Sequence, residues 1–204
     1  MSIFITVDGP NGVGKTTLIH ALANLLRADG SDVVVFRQPS DSDLGNFARS
    51  SEQQLTGMAL AALVVADRYF QIETAIKPEL AAGRIILCDR YVASTLALQR
   101  LDGLPIEVLW DMNSQALVPD LSVLLCADPA RIEQRLDERG RLSRFERMDG
   151  IAAREVAYFK EAFEFLRNVG YTTLEITTSE TSPEAAAAEI AAHVASLGGN
   201  AIAT

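Results

Sequence analysis

Residues 9–16 read Gly9-Pro10-Asn11-Gly12-Val13-Gly14-Lys15-Thr16, which fits the pattern Gly-x4-Gly-Lys-Ser/Thr without a mismatch. The pattern limits the fold because it works only where a strand delivers the loop and a helix begins on it. Both are present. Ile3-Phe4-Ile5-Thr6-Val7 is an apolar run closed by Asp8, and after Thr16 the residues Leu18, Leu22, Leu25 and Leu26 recur at helical spacing. The glycines let backbone N–H groups converge on phosphate oxygens, Lys15 reaches the β- and γ-phosphates, and the Thr16 hydroxyl holds Mg²⁺. The helix adds its positive end to the same oxygens. ATP with Mg²⁺ is therefore expected on Gly9, Asn11, Gly12, Val13, Gly14, Lys15, Thr16 and Thr17.

The rest of the chain repeats strand and helix. Strands are expected at 32–36, 84–88, 121–126 and 173–177, and helices at 16–27, 55–82, 105–113, 129–139, 150–169 and from Ser182 to Gly198-Gly199. The 55–82 helix should be interrupted near Pro78. Apolar strands alternating with helices predict an α/β fold of P-loop NTPase type: a five-stranded parallel sheet with helices on both faces, ligands sitting at the carboxyl ends of the strands. No repeat, linker or domain boundary interrupts residues 1–204, which read as one P-loop domain with a short lid at about 139–149.

Net charge is −9, which argues against a broad nucleic-acid surface but leaves room for a local cationic site. Of 18 basic residues all but Lys15, Lys77 and Lys160 are Arg, whose fork matches phosphate geometry, although high genomic GC content would give the same bias. Cys88 and Cys126 each lie in a strand-like apolar run and read as buried free thiols of a reducing compartment. No leader and no membrane-length apolar run is visible, so the expected setting is cytoplasmic, with no membrane partner.

Asp89 closes the third strand, at the sheet edge where phosphates sit. It is expected to orient Mg²⁺ together with Thr16, and the adjoining Arg90 to reach transferring phosphate oxygens. Arg131, Arg135 and Arg139 share one helix face, where interleaved Glu133, Asp137 and Glu138 fit an ordinary ion-paired surface. The segment Gly140-Arg141-Leu142-Ser143-Arg144 is the better lid, adding charge at the transition state and excluding water.

With these residues in place the chain resembles the thymidylate kinase family over most of its length. The resemblance rests on order and spacing: the Asp8–Thr17 loop, Arg37-Gln38-Pro39, Ala66-Asp67-Arg68, residues 73–78, Asp89-Arg90-Tyr91 with Ser94, Pro119-Asp120-Leu121 and Arg144-Phe145-Glu146. It implies ATP-dependent transfer to a deoxynucleoside monophosphate, dTMP above all, in a homodimer that uses small nucleotides and no nucleic acid. It further implies that Arg37 and Arg90 hold the acceptor phosphate and that Arg68 hydrogen-bonds the base. Asp8, Val64, Ser94, Leu98 and Gln99 would line the acceptor pocket, and Arg139, Arg141 or Arg144 would be the catalytic lid arginine. Residues 58–66 are apolar on every side, which calls for burial on all faces and agrees with a dimer.

The departures cluster in the acceptor half. Val64 stands where the family carries an aromatic that stacks on thymine, and Leu98 where it carries Tyr. Asn11 and Gln38 replace acids, and Ser40-Asp41 replaces Gly-Gly. A second reading therefore keeps the fold and changes the acceptor to a modified or non-thymine nucleotide, a nucleoside or another hydroxylated metabolite. A nucleotide-dependent switch is the third; the chain has no Asn-Lys-x-Asp guanine motif, and a simple binder has no use for lid arginines.

Overall fold

β1 (Ile3–Asp8) sends Ile3, Ile5 and Val7 to one face of a sheet and Phe4 to the other, and all four are buried. Parallel neighbours lie on both sides of it. β3 (Ile85–Asp89) runs in register from Ile3↔Ile85 to Val7↔Asp89, and β4 (Leu121–Cys126) from Ile5↔Leu121 to Asp8↔Leu124. β2 (Val33–Arg37) and β5 (Thr173–Thr177) complete the parallel order β2-β3-β1-β4-β5. The computed structural model describes residues 2–140 and 143–199. The α/β architecture expected from the sequence is thus observed. The three central strands are almost wholly buried, while β2 and β5 are edges with alternating exposure.

Two apolar clusters cover the faces. On one, Leu18, Leu22 and Leu26 of α1 (Lys15–Ala28) pack with Ile132 and Leu136 of α7 (Pro129–Arg139) and Ile190 of α9 (Pro183–Gly199). On the other, Ile86 and Leu124 meet Leu96 of α5 (Val92–Leu98) and Phe159 and Phe163 of α8 (Ile151–Asn168). Burying each such side chain contributes about 1.5–3 kcal/mol, so the sheet edge that carries the loop is rigidly backed. α6 (Ile106–Asn113) closes the second face.

Two helices carry no clear signal in the sequence. α2 (Asp43–Ser51) contains Gly45 and Asn46, poor helix formers. It forms because the Ser42 hydroxyl accepts from Gly45 N–H at 3.1 Å and because Ala48 and Ser51 are buried. Gly45 is required there, since a Cβ would stand 2.1 Å from the Ser40 carbonyl oxygen. α5 is short and rich in apolar and β-branched residues, so no helical period shows. A distant residue caps it: Asp8 Oδ1 accepts from Tyr91 N–H at 2.9 Å and Ser94 N–H at 3.0 Å.

The long helix starts as α3 (Gly57–Gln71), widens to a π-helical stretch at Ile72–Ile76 and continues as α4 (Lys77–Ala81). The interruption expected near Pro78 is this stretch. Proline lacks an N–H and its ring crowds the carbonyl four residues back, and the wider turn relieves both.

Candidate active site

The loop from Gly9 to Gly14 leaves β1 and turns into α1 through backbone shapes that side chains resist. Gly9 takes φ 147°, and a Cβ there would lie 2.6 Å from the Leu125 carbonyl oxygen of β4. Lys15 Nζ rests on the carbonyls of Gly9 at 2.9 Å and Pro10 at 2.8 Å. Burial pushes its pKa down to about 7, with the nearby Arg90 guanidinium a further cause.

Thr16 Oγ1 donates to Asp89 Oδ2 at 3.3 Å, while Asp89 Oδ1 is buried with no hydrogen-bond partner among the described residues. An orphaned carboxylate oxygen beside a hydroxyl is a hard donor set of the kind Mg²⁺ takes alongside phosphates and water, so the residues present fit that ion.

The loop floors a cavity of about 740 Å³ that runs from the turn after β5 (Thr178, Thr181, Pro183) to α2. Six cations line it, Lys15, Arg37, Arg49, Arg90, Arg135 and Arg139, against two carboxylates, Glu52 and Asp89. An acidic chain thus concentrates positive potential in one cleft, the condition for capturing polyphosphate. Burial raises the pKa of Glu52.

The cavity adjoins a narrower recess of about 120 Å³ that brings together Val64, Arg68, Ser94, Leu98 and Gln99, all expected acceptor residues, with Arg49 and Arg90 at its mouth. Phe145 and Ser143, from the segment expected to form a lid, wall the same recess. Arg90 holds φ 70°, a strained shape for a non-glycine residue, and its Nη1 donates to Ser94 Oγ at 3.3 Å. Arg37 is exposed and donates to Asp41 Oδ1 through Nε at 2.9 Å, which holds the Asp41 carboxyl below its usual range.

Two expected acceptor residues are tied into the protein. Asp8 is 1% exposed and also accepts from Ser94 Oγ at 2.6 Å; burial raises its pKa. Arg68 donates through Nε to Gln38 Oε1 at 2.8 Å, through Nη2 to Tyr91 O and Thr95 Oγ1 at 2.9 Å each, and through Nη1 to Asn113 Oδ1.

The three arginines expected in a lid divide. Arg139 lines the main cavity and pairs with Glu146 at 2.9 Å. Arg144 makes a two-pronged pair with Asp102, its Nη1 2.8 Å from Oδ1, and stacks 4.0 Å over Phe145. Arg141 lies outside the described residues.

Several contributors escaped sequence reasoning. Arg49 donates to Pro39 O and sits in both cavities, and Arg135 donates to the loop carbonyls of Val13 at 3.2 Å and Gly12 at 3.4 Å. Glu155 of α8 accepts from Asn11, and Asp102 anchors Arg144. Arg135 had a signal, its place on the Arg131/Arg139 face; the others have none that spacing could give.

Comparison with known proteins agrees with this geometry. The family model described as Thymidylate kinase matches residues 7–189. A "Probable thymidylate kinase" of Caldivirga maquilingensis is 38% identical, the match covering 80% of this chain and 82% of that protein. The thymidylate kinase of Exiguobacterium sibiricum is also 38% identical, over 72% and 73% of the two chains. A "Probable thymidylate kinase" of Archaeoglobus fulgidus is 33% identical over 89% and 90%. A strand-borne phosphate loop, a cationic cleft beside a narrow recess and this likeness over residues 7–189 lead to one conclusion: the chain belongs to the thymidylate kinase family.

Proposed function

We propose that the chain transfers the γ-phosphoryl group of ATP to the phosphate of dTMP, yielding dTDP and ADP. The observation that carries this reading is the continuity of the phosphate loop, the Arg37/Arg49/Arg90 cluster and the recess, in a chain whose relatives are named thymidylate kinases. Lys15 and the loop N–H groups bind the donor phosphates. Arg90, with Arg37 and Arg49, aligns the acceptor phosphate, whose oxygen attacks in line with the departing ADP. A phosphate nucleophile is already anionic, so positioning and charge neutralisation account for the rate. Thr16 and Asp89 would hold Mg²⁺, which supplies positive charge to the β- and γ-oxygens. Arg139 adds charge from the lid at 139–149, and Arg141 and Arg144 belong to the same segment. In the acceptor recess Phe145 supplies an aromatic wall beside Val64 and Leu98, which speaks for a planar base despite the aliphatic replacements.

The test is ADP formation from ATP-Mg²⁺ against a panel of nucleoside monophosphates, nucleosides and deoxynucleosides. Turnover is expected to be strongest with dTMP. Feeble dTMP turnover beside intact ATP binding would overturn the acceptor assignment.

A homodimer and a cytoplasmic setting complete the reading. Met58, Ala59, Ala62, Ala66 and Phe70 are exposed along one face of α3, so the all-round burial that this segment calls for is unmet within one chain. Two copies paired through α3 would meet it. Sedimentation should give twice the 22.1 kDa chain mass, and Ala62→Arg, a charge at the centre of the face, should give the single chain. A wild-type monomer would remove this part of the reading. Cys88 is buried and Cys126, expected to be buried too, is half-buried; both are free, which suits a reducing cytoplasm. Among the described residues no helix is long and apolar enough to cross a membrane.

A further inference from the structure

Glu155 of α8 is 2% exposed, and both its carboxylate oxygens are turned on a single loop residue. Asn11 N–H donates to Glu155 Oε2 at 2.6 Å and Asn11 Nδ2 donates to Glu155 Oε1 at 2.8 Å. The other end of the same amide, Asn11 Oδ1, accepts from Arg90 Nη2 at 2.6 Å. Only one orientation of the amide satisfies all three contacts. Turned over, its oxygen would face a carboxylate and its NH₂ would face a guanidinium. Glu155 therefore decides which way Asn11 points, and Asn11 in turn holds one prong of Arg90. Ser94 holds the other at 3.3 Å. The Arg90 side chain is thereby fixed from both sides, with its remaining N–H groups available to an acceptor phosphate.

We propose that Glu155 is a positioning residue for the acceptor: through Asn11 it orients Arg90, and it supplies from α8 the negative charge that an uncharged loop residue cannot. The inference rests on the kinase reading for what Arg90 binds. It does not rest on dTMP being the acceptor.

The arrangement can be rebuilt with opposite polarity, which gives a sharp test. In the double variant Asn11→Asp/Glu155→Gln, the loop N–H donates to the Gln oxygen, the Gln NH₂ donates to one Asp oxygen, and Arg90 donates to the other. All three contacts survive: donor and acceptor are exchanged only between the two side chains, while the loop N–H and Arg90 still donate. Glu155→Gln alone sets NH₂ against NH₂ and should raise the acceptor KM by about tenfold or more, with the ATP KM changed by less than about threefold. Asn11→Asp alone sets two carboxylates face to face and should be worse. The double variant should return the acceptor KM to within about threefold of wild type. On an Arg90→Ala background, Glu155→Gln should add nothing further.

Equal rises in the ATP and acceptor KM, or no recovery in the double variant, would overturn the proposal and leave Glu155 as a brace of the loop. If Glu155→Gln does not fold, the double variant decides alone: wild-type-like acceptor KM supports the proposal, and a raised KM or failure to fold overturns it. The assays use whichever acceptor wild type takes best, so a poor result with dTMP strikes the functional reading only. With a wild type inert toward every acceptor, the Arg90 side-chain N–H signals in nitrogen-15 NMR decide. They should shift in Glu155→Gln and return in the double variant; signals that fail to shift, or to return, overturn the proposal.

Discussion

Lys15→Ala should lower ATP-dependent turnover by about a thousandfold or more while the protein stays folded. Lys15 is the cation on the phosphate loop itself, and its Nζ is held against two loop carbonyls at 2.8 and 2.9 Å. Arg90, Arg135 and Arg139 approach from other elements, and Arg135 meets the loop only at the Gly12 and Val13 carbonyls. The fold loses little, because the buried ammonium is held at a cost: its pKa stands at about 7. Thermal melting should move by no more than a few degrees, and turnover within tenfold of wild type would refute the role.

The same pKa has a second consequence. Bound polyphosphate favours the charged ammonium and must raise the pKa, so ATP binding takes up a proton once the free enzyme has lost one. ATP affinity should weaken as pH rises above about 7, by up to about tenfold per pH unit, and level off below it. Calorimetry in buffers of different ionisation enthalpy would show the uptake; its absence at pH 8 to 9 would contradict this account.

Arg68→Ala should cost about 3 kcal/mol or more of folding stability, the largest expected from one truncation at the site. Arg68 is 1% exposed, and its guanidinium joins Gln38 after β2, Tyr91 and Thr95 at α5, and Asn113 of α6. It also lies 5.3 Å over the Tyr91 ring. Truncation leaves a buried cavity lined by polar atoms without partners, and Arg68→Lys cannot replace a planar fork with a point charge. Urea unfolding reads the effect. Arg37→Ala, at an exposed ion pair, should fall within about 0.5 kcal/mol of wild type and is the control. A loss below about 1 kcal/mol for Arg68→Ala would show that the network is not structural.

What could be read from the chain itself was local. β1, the loop and α1 are contiguous, so the apolar run, the glycines and the leucine spacing carry the phosphate site without help from elsewhere. Asp89 and Arg90 were legible for the same reason, as the polar end of an apolar strand. α2 and α5 were not, because their helicity comes from partners: Gly45 against the Ser40 backbone, and the cap that Asp8 gives α5 across 83 and 86 positions.

At the recess, tertiary structure decided which groups meet the residues that the sequence had singled out. Asn11 reads as a missing acid until α8 brings Glu155 across 144 positions, and Val64 and Leu98 read as a stripped pocket until the segment after α7 brings Phe145. Arg144 reads as a free lid cation until Asp102 meets it across 42 positions. The sequence alone determined the strands, the helices between them and the glycine-lysine loop, since periodicity and backbone freedom act over a few residues. Folding decided which charges meet, because a side chain's partner depends on where other elements pack and leaves no mark on its own neighbours in the chain.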